Sequence, residues 1–318
     1  MYDWARLIQR IVDRIDECIL RHEDEALTLR ALAQELGYSE FHTTRKFREI
    51  SGMPLRDYIR QRRLAIALRE VRDSHRSLLD IALDHGFSSN EAFTRAFRRA
   101  YGMTPSAYRA SPCPVVLRTK IHPFDRYFFG LGEIGMILSN ENVKTYFITI
   151  PAHTFLHIEN RESNGYWDFW QKQALIPGQD CETICGLLES VKGKLDDHGD
   201  DFAGQIMGYI SDPTGRLCSW GFLRTECYGV RLPADYSGPV PEQMILTPIP
   251  EGEYIVFEHG PFDYEQECRT VENRIEAAMS SFDYAPTGYT LDHTPGRIMY
   301  FYHDPNRFFK YIRPVRRA

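Results

Sequence analysis

No stretch of this 318-residue chain approaches the roughly 18 consecutive apolar residues that a membrane-spanning helix needs, so no membrane partner is expected. The first residues, MYDWARLIQRIVDRIDE, are charged throughout and lack the basic, apolar and small-residue succession of a secretory leader. A cytoplasmic, unprocessed chain is expected. Paired cysteines are missing too: Cys18, Cys113, Cys181, Cys185, Cys218, Cys227 and Cys268 are an odd count with no CxxC spacing, which argues against a disulfide framework. Cys181 and Cys185 have the spacing to share a helix face, but no second cysteine pair or HxxxH partner accompanies them. They read as buried or incidental thiols, with no metal site and no cofactor expected. Positive charge is also short, at a net −6, which ordinarily argues against a nucleic-acid partner. Its distribution reverses that argument. Ser39 to Arg109 carries 14 Lys plus Arg against 8 Asp plus Glu, a net of +6, leaving −12 for the rest.

What the chain does have is a helical unit written twice. LGYSEFHTTRKFREISGMPLRDY, from Leu36 to Tyr58, returns as HGFSSNEAFTRAFRRAYGMTPSAY, from His85 to Tyr108. At an offset of 49, Gly37 pairs with Gly86 and Ser39 with Ser88; one inserted residue shifts it to 50, pairing Thr44 with Thr94, Arg45 with Arg95, Phe47 with Phe97, Arg48 with Arg98 and Gly52 with Gly102. Each copy reads as a short apolar helix, a turn on glycine, and a second helix capped by serine, the local chemistry of a helix-turn-helix. Phe93, Ala96, Phe97 and Ala100 fall at core-facing spacing, with Thr43, Phe47 and Ile50 as the first copy's stripe. Packing accounts for matched phenylalanines but not for matched polar residues, since solvent accepts almost any polar side chain. Two Thr-Arg-Arg faces therefore point to a partner with two equivalent sites, and double-stranded DNA, with successive major grooves, is that polymer. Between the copies, Pro54 to Ser74 has the pattern of one helix through Leu64, Ala67, Leu68 and Val71. Its length of roughly 30 Å approaches the roughly 34 Å between successive grooves.

The repeat, the connecting helix and the closing FTRAFRRAYGMTPSAYR resemble the DNA-binding domain of AraC/XylS transcription regulators over about Trp4 to Ser111. The resemblance implies base contacts mainly from Phe41, Thr44, Arg45 and Arg48, with Asn90, Thr94, Arg95 and Arg98 supplying further base or phosphate contacts. Most regulators of that family carry this domain last. Here it comes first, an order similar to the Rob type.

A chain this long exceeds a single core. The expected organisation is multidomain: an all-α DNA-binding domain with tandem helix-turn-helix units over 1–111, a linker and connecting segment over 112–143, and an α+β domain over 144–318. In the last region, short aromatic and β-branched runs alternate with Gly, Pro and Asp turns. IPAHTFLHIE from Ile150 echoes IPEGEYIVFE from Ile249, aligning Phe155 with Tyr254 and Glu159 with Glu258. Two similar α+β halves with a cleft where they meet are expected. EGEYIVFEHGPFDYEQECRTVENRIEAAMSSF and the ending FFKYIRPVRR resemble the GyrI-like effector-binding domain, clearly from Met244 onward. That resemblance implies two β-α-β-β halves and a small-molecule cleft lined by aromatics. Tyr166, Trp167, Trp170, Trp220, Phe222, Tyr254, Glu258 and Lys310 are the candidate lining residues. Trp220 and Phe222 are expected to share one face of a strand. Lys310 stands where cation-binding relatives carry a glutamate, which points to an anionic or neutral aromatic ligand.

The expected function is a sequence-specific transcription regulator, not an enzyme, that binds DNA through its first domain and a small-molecule effector, aromatic in character, through its last, with RNA polymerase as a further partner. Two alternatives stand beside it. One gives the last domain a hydrolase site drawn from Glu159, Glu258, His157 and His259; the other gives it protein contacts only.

Overall fold

The computed structural model describes residues 2–121, 123–124, 143–196, 204–262, 264–303 and 308–318. Most of the linker expected over 112–143 lies outside the described residues. The chain divides into two compact units: Met1–Phe129 with Cys185–Lys192, and Gly130–Ile184 with Gly193–Ala318. Among the described residues no helix is long and apolar enough to cross a membrane.

The first unit contains α1 (Tyr2–Leu20), α2 (Leu29–Leu36), α3 (Glu40–Ser51), α4 (Leu55–Asp73), α5 (Leu78–Asp84), α6 (Asn90–Tyr101) and α7 (Pro105–Ala110). Hydroxyl caps set where helices begin. Thr28, Ser39, Ser77, Ser89 and Thr104 each accept from the backbone N–H three residues on, satisfying a donor that the first helical turn leaves open. The turns from α2 to α3 and from α5 to α6 use Gly37 at φ 74° and Gly86 at φ 71°, left-handed values that cost other L-residues roughly 1–2 kcal/mol.

Two apolar cores result. Ile8, Ile11, Val12 and Ile15 of α1 pack with Leu32, Leu36, Phe47, Leu55 and Tyr58; a second core gathers Leu64, Leu68, Val71, Ile81, Phe93, Phe97 and Tyr108. Helix α4 feeds both, its first turn entering one and its later turns the other. Of the expected stripes, Thr43, Phe47, Phe93 and Phe97 are fully buried, whereas Ala100 is exposed. It lies in the last turn of α6, beyond the packing of Phe97. Where α4 passes from one core to the other sits Arg62, buried at 2% exposure. Its guanidinium donates to both carboxylate oxygens of Asp16 at 2.9 and 2.6 Å and to the Arg118 carbonyl at 2.6 Å. The segment 185–192 belongs to this unit as well: Arg72 Nη1 donates to the Ser190 carbonyl at 2.7 Å, Arg69 pairs with Glu189, and Gly186 lies so close to the Leu117 backbone that a Cβ would fall 2.5 Å from its oxygen.

The second unit contains β1 (Val143–Ile150), β2 (His153–Asn160), α8 (Tyr166–Gln173), the start of α9 (Cys181–Ser190), β3 (Gln205–Leu217), β4 (Leu223–Pro233), β5 (Ile245–Ile249), β6 (Gly252–His259), α10 (Tyr264–Ser281), β7 (Tyr289–Leu291), β8 (Ile298–His303) and β9 (Phe309–Arg317). They form one nine-stranded sheet in the order β1-β6-β9-β8-β3-β4-β2-β5, with β7 beside β9. Strands β3, β4 and β2 on one side mirror β8, β9 and β6 on the other, with the antiparallel β3–β8 pair between them.

The edge strands are exchanged. β1 precedes β2 but pairs with β6, and β5 precedes β6 but pairs with β2. Two-residue turns join Ile150 to His153 and Ile249 to Gly252, so those ends lie within about 11 Å of each other. The sheet must curl to bring its edges that near. Its inward face holds the core of Ile150, Phe155, Ile206, Tyr254, Ile298, Tyr300 and Ile312; helices α8 and α10 pack on strands from the other face.

Candidate functional site

Helices α3 and α6 repeat their exposure position by position. Arg45 and Arg48 are exposed in α3, as are Arg95 and Arg98 in α6; Thr44 and Thr94 are half-buried; Phe47 and Phe97 are buried. The caps hold these faces in register, since Ser39 and Ser89 fix the first turns and Gly52 and Gly102 end both helices in the left-handed conformation. Phe41 is 76% exposed, an apolar ring held in water at the N-terminal end of α3, where a thymine methyl or a sugar would cover it. Thr44 donates its hydroxyl proton to the Glu40 carbonyl at 2.7 Å and keeps its acceptor capacity. Asn90 Oδ1 is buried without a hydrogen-bond partner among the described residues.

Electrostatics separates the two faces. Arg45 Nε lies 3.5 Å from Glu49, which also accepts from Lys46 at 2.7 Å; the hydrogen bond from Lys46 holds the Glu49 carboxyl below its ordinary range. At the corresponding position α6 has Arg99. Arg48, Arg95 and Arg98 make no ion pair among the described residues, so their five-donor guanidinium groups are available to an anion or a base edge.

Residues 32–111 match the helix-turn-helix domain family. The regulatory protein SoxS of Escherichia coli K12 is 42% identical over 104 residues, which are 33% of this chain and 94% of SoxS. The chain belongs to the AraC family of transcription regulators. The right origin-binding protein of the same organism is 42% identical over 91 residues, 29% of this chain and 32% of that protein. A solved structure, a transcription regulation protein of Staphylococcus aureus Mu50, is 15% identical over 54% of this chain and 98% of its own, with a TM-score of 0.33. This AraC-family regulator is thus a sequence-specific DNA-binding protein with a helical reading region followed by a sheet-rich domain.

In the sheet-rich domain of the AraC-family chain, the candidate lining residues do not form one group. Tyr254, Glu258 and Lys310 point to the inward face, where Lys310 Nζ lies 2.9 Å from Glu258 and Tyr146 donates to the same carboxylate at 2.7 Å. The carboxyl is held below its ordinary range by those two partners against its burial. Trp170 and Tyr166 stand on the helix-side face, against Tyr228; Trp167 is exposed. Trp220 and Phe222 are not on a strand. Strand β3 ends at Leu217, and the register breaks between Ser211 and Arg216, so period-two counting across this hairpin fails. Both lie in the turn before β4, where Trp220 meets Tyr209 and Tyr311 at 5.1 and 5.5 Å while Phe222 stacks on His293.

The residues that sequence reasoning missed lie around Trp220. Tyr209 and Tyr311, both buried, and Phe301 continue its aromatic cluster, and buried Arg224, paired with Glu226, lies over the Tyr209 and Trp220 rings at 4.9 and 5.4 Å. From α10, Glu272 accepts a 3.5 Å hydrogen bond from Tyr311; burial and then the neighbouring Glu276 carboxyl push it up to about 7. Of the four residues of the hydrolase alternative, His157, Glu159 and Glu258 face inward, while His259, the next residue after Glu258 on the strand, faces the helices with Phe257 and stands apart from them.

Proposed function

We propose that one copy of this regulator reads an asymmetric operator spanning two successive major grooves, with α3 in one and α6 in the other. The observation that carries this is the position-by-position repeat of exposure on the two helices. Helix α4, at 19 residues, supplies a spacer of about 28 Å on the same chain, so no second copy is needed to provide the second reading helix. Phe41, Thr44, Arg45 and Arg48 contact bases in the first groove, and Asn90, Thr94, Arg95 and Arg98 contact bases or phosphates in the second. Bound there, the regulator engages RNA polymerase. Sedimentation of the complex on its minimal duplex tests the monomer: a one-to-one ratio is expected, and an obligatory two-to-one ratio overturns it.

We further propose that the sheet-rich, GyrI-like domain senses an aromatic small molecule at half-buried Trp220, which caps the buried helix-side cluster of Tyr209 and Tyr311. Arg224 stacked on two of these rings supports a planar cation as the preferred ligand class, because the rings already accommodate a guanidinium. The preference argued from Lys310 alone would be anionic, but Glu258 neutralises that ammonium. Calorimetry with two matched aromatics, one a quaternary ammonium and one a carboxylate, distinguishes these readings. Tighter binding of the cation, lost in Trp220→Ala, is expected; tighter binding of the carboxylate would overturn it.

A further inference from the structure

The two halves of the sheet treat one carboxylate differently. Glu159 on β2 and Glu258 on β6 occupy corresponding places in the repeated strand, and each has a direct cross-strand neighbour: Cys227 opposite Glu159, Lys310 opposite Glu258. In the second half an ammonium 2.9 Å away neutralises the carboxylate. In the first half the position of that ammonium holds a buried thiol, two residues back on the same face stands His157, and the nearest guanidinium, Arg161, is 3.7 Å away with 57% of its side chain in water.

We propose that His157, Glu159 and Cys227 form a binding site for a borderline-soft divalent metal ion of the Zn²⁺ type. Nitrogen, oxygen and sulfur donors from these three residues lie within 4.8 Å of one another, near enough to close on one ion by small side-chain adjustments. The pleat produces the triangle. His157 and Glu159 alternate onto one face of β2, and Cys227 faces Glu159 across the ladder. Gly229, opposite His157 on β4, lets the two strands close tightly at this point, since a Cβ there would fall 2.0 Å from the Leu156 carbonyl oxygen and 2.7 Å from the His157 Cβ. Thr247 Oγ1, 2.8 Å from His157 Nε2, fixes the ring from the neighbouring β5 strand, as an outer partner does for a metal-bound histidine.

Charge favours a dication. On binding, the thiol releases its proton to solvent, and one thiolate, one carboxylate and one neutral imidazole around a 2+ ion give a neutral centre in a low-dielectric core. The ion does for Glu159 what Lys310 does for Glu258. Three protein donors leave a fourth position for water or an exogenous donor, and Glu159, half-buried, is the side open to exchange.

The test uses the full chain, reduced and freed of metal with a chelator, with Co²⁺ as the spectroscopic probe and Zn²⁺ affinity measured by competition with a chromophoric chelator. One equivalent of Co²⁺ should give a thiolate-to-metal charge-transfer band that Zn²⁺ abolishes. Cys227→Ser should lose the band, whereas Cys181→Ser, which removes an exposed thiol, should keep it. Glu159→Gln should keep the band and bind Zn²⁺ more weakly by at least about tenfold, a lower bound taken from the loss of outer-shell partners. This last variant decides the matter if Cys227→Ser fails to fold, because Glu159 is only half-buried. Absence of the band in the native chain, its persistence in Cys227→Ser, or wild-type affinity in Glu159→Gln would each overturn the site.

Discussion

Both units of this chain are built from an internal duplication in which buried residues match, and they differ in what happens to the polar residues. In the reading unit the outward polar residues match: Thr44 and Thr94 are both half-buried, and Arg45 and Arg95, Arg48 and Arg98 are all exposed on equivalent helices. In the sheet unit the buried residues match, with Phe155 and Tyr254 both at 0% exposure, while the neighbours of the matched Glu159 and Glu258 diverge, Cys227 standing where its counterpart is Lys310. A surface held alike in two copies serves two alike partners, which is the situation of two grooves on one duplex. A core held alike with unlike polar groups serves a shared scaffold that carries different chemistry in each half. The place to look for recognition is therefore the repeated surface in the first unit and the unrepeated residues in the second.

Equivalence of the two reading halves has its largest consequence in their cores. Phe47→Ala and Phe97→Ala each remove a fully buried ring and should cost about 3–5 kcal/mol apiece, read by chemical denaturation of the full chain. Costs that differ by more than about 2 kcal/mol would show that the surrounding packing is not repeated even though the positions are.

On the surface the expected effects are smaller and, unlike the cores, unequal. Arg48→Ala should lower operator affinity by about 1–3 kcal/mol and relax discrimination at one base pair, as a guanine contact does. Arg98→Ala, on the helix where Arg99 replaces Glu49, should weaken specific and scrambled duplexes together and make the salt dependence shallower by about one unit. Binding measured on both duplexes across a salt series distinguishes the roles. If Arg48→Ala weakens both duplexes equally, base reading belongs elsewhere on α3.

How much of this was legible in the sequence follows from the range of the interactions. Caps, glycine turns and the Phe93/Phe97 spacing act within a few residues, so the repeat could be read directly from the letters. Arg62 could not be placed: its partner Asp16 is 46 residues away, and within Leu64, Ala67, Leu68 and Val71 an arginine on the same helix looks solvated. In the sheet, the echo at Ile150 and Ile249 was visible, but the exchange of β1 and β5 was not, because a two-residue turn normally joins strands that pair with each other. Trp220 and Phe222 failed for a local reason, the irregular register after Ser211. The aromatic surface needed Tyr209, Tyr311 and Glu272 from three distant elements, and no spacing in the sequence brings them together.

Cap removal sharpens the same comparison at a lower energy. Ser39→Ala and Ser89→Ala each delete one hydroxyl acceptor for a first-turn N–H, at 3.3 and 3.2 Å, and should each cost about 1 kcal/mol in thermal or denaturant unfolding. Because the outward arginines sit about two turns beyond these caps, affinity for the operator should fall slightly in both variants. A loss confined to one of them would mean that only that helix depends on its cap for its position.

The last effect, read as a slope with pH rather than as a fixed cost, belongs to the unrepeated chemistry of the sheet unit. Glu272 has a folded-state pKa raised from 4.5 to about 7 by burial and by Glu276, so the fold prefers its protonated form. A carboxyl whose pKa is raised on folding binds more protons folded than unfolded between those two values, and its contribution is full below about pH 4.5 and lost as pH rises through 7. Buried histidines pull the other way: His157, lowered to about 4 by desolvation, and His85, His153 and His293, also lowered chiefly by burial, contribute stability above their unfolded value that fades as pH falls. The difference between wild type and Glu272→Gln isolates the carboxyl, since the amide keeps an acceptor for Tyr311 and does not titrate. Between pH 4.5 and 7 the melting temperature of wild type should fall relative to that of the variant as pH rises. Parallel curves would mean that folding leaves the Glu272 carboxyl at its ordinary value, so that it stands ionised beside Tyr311 through most of that range.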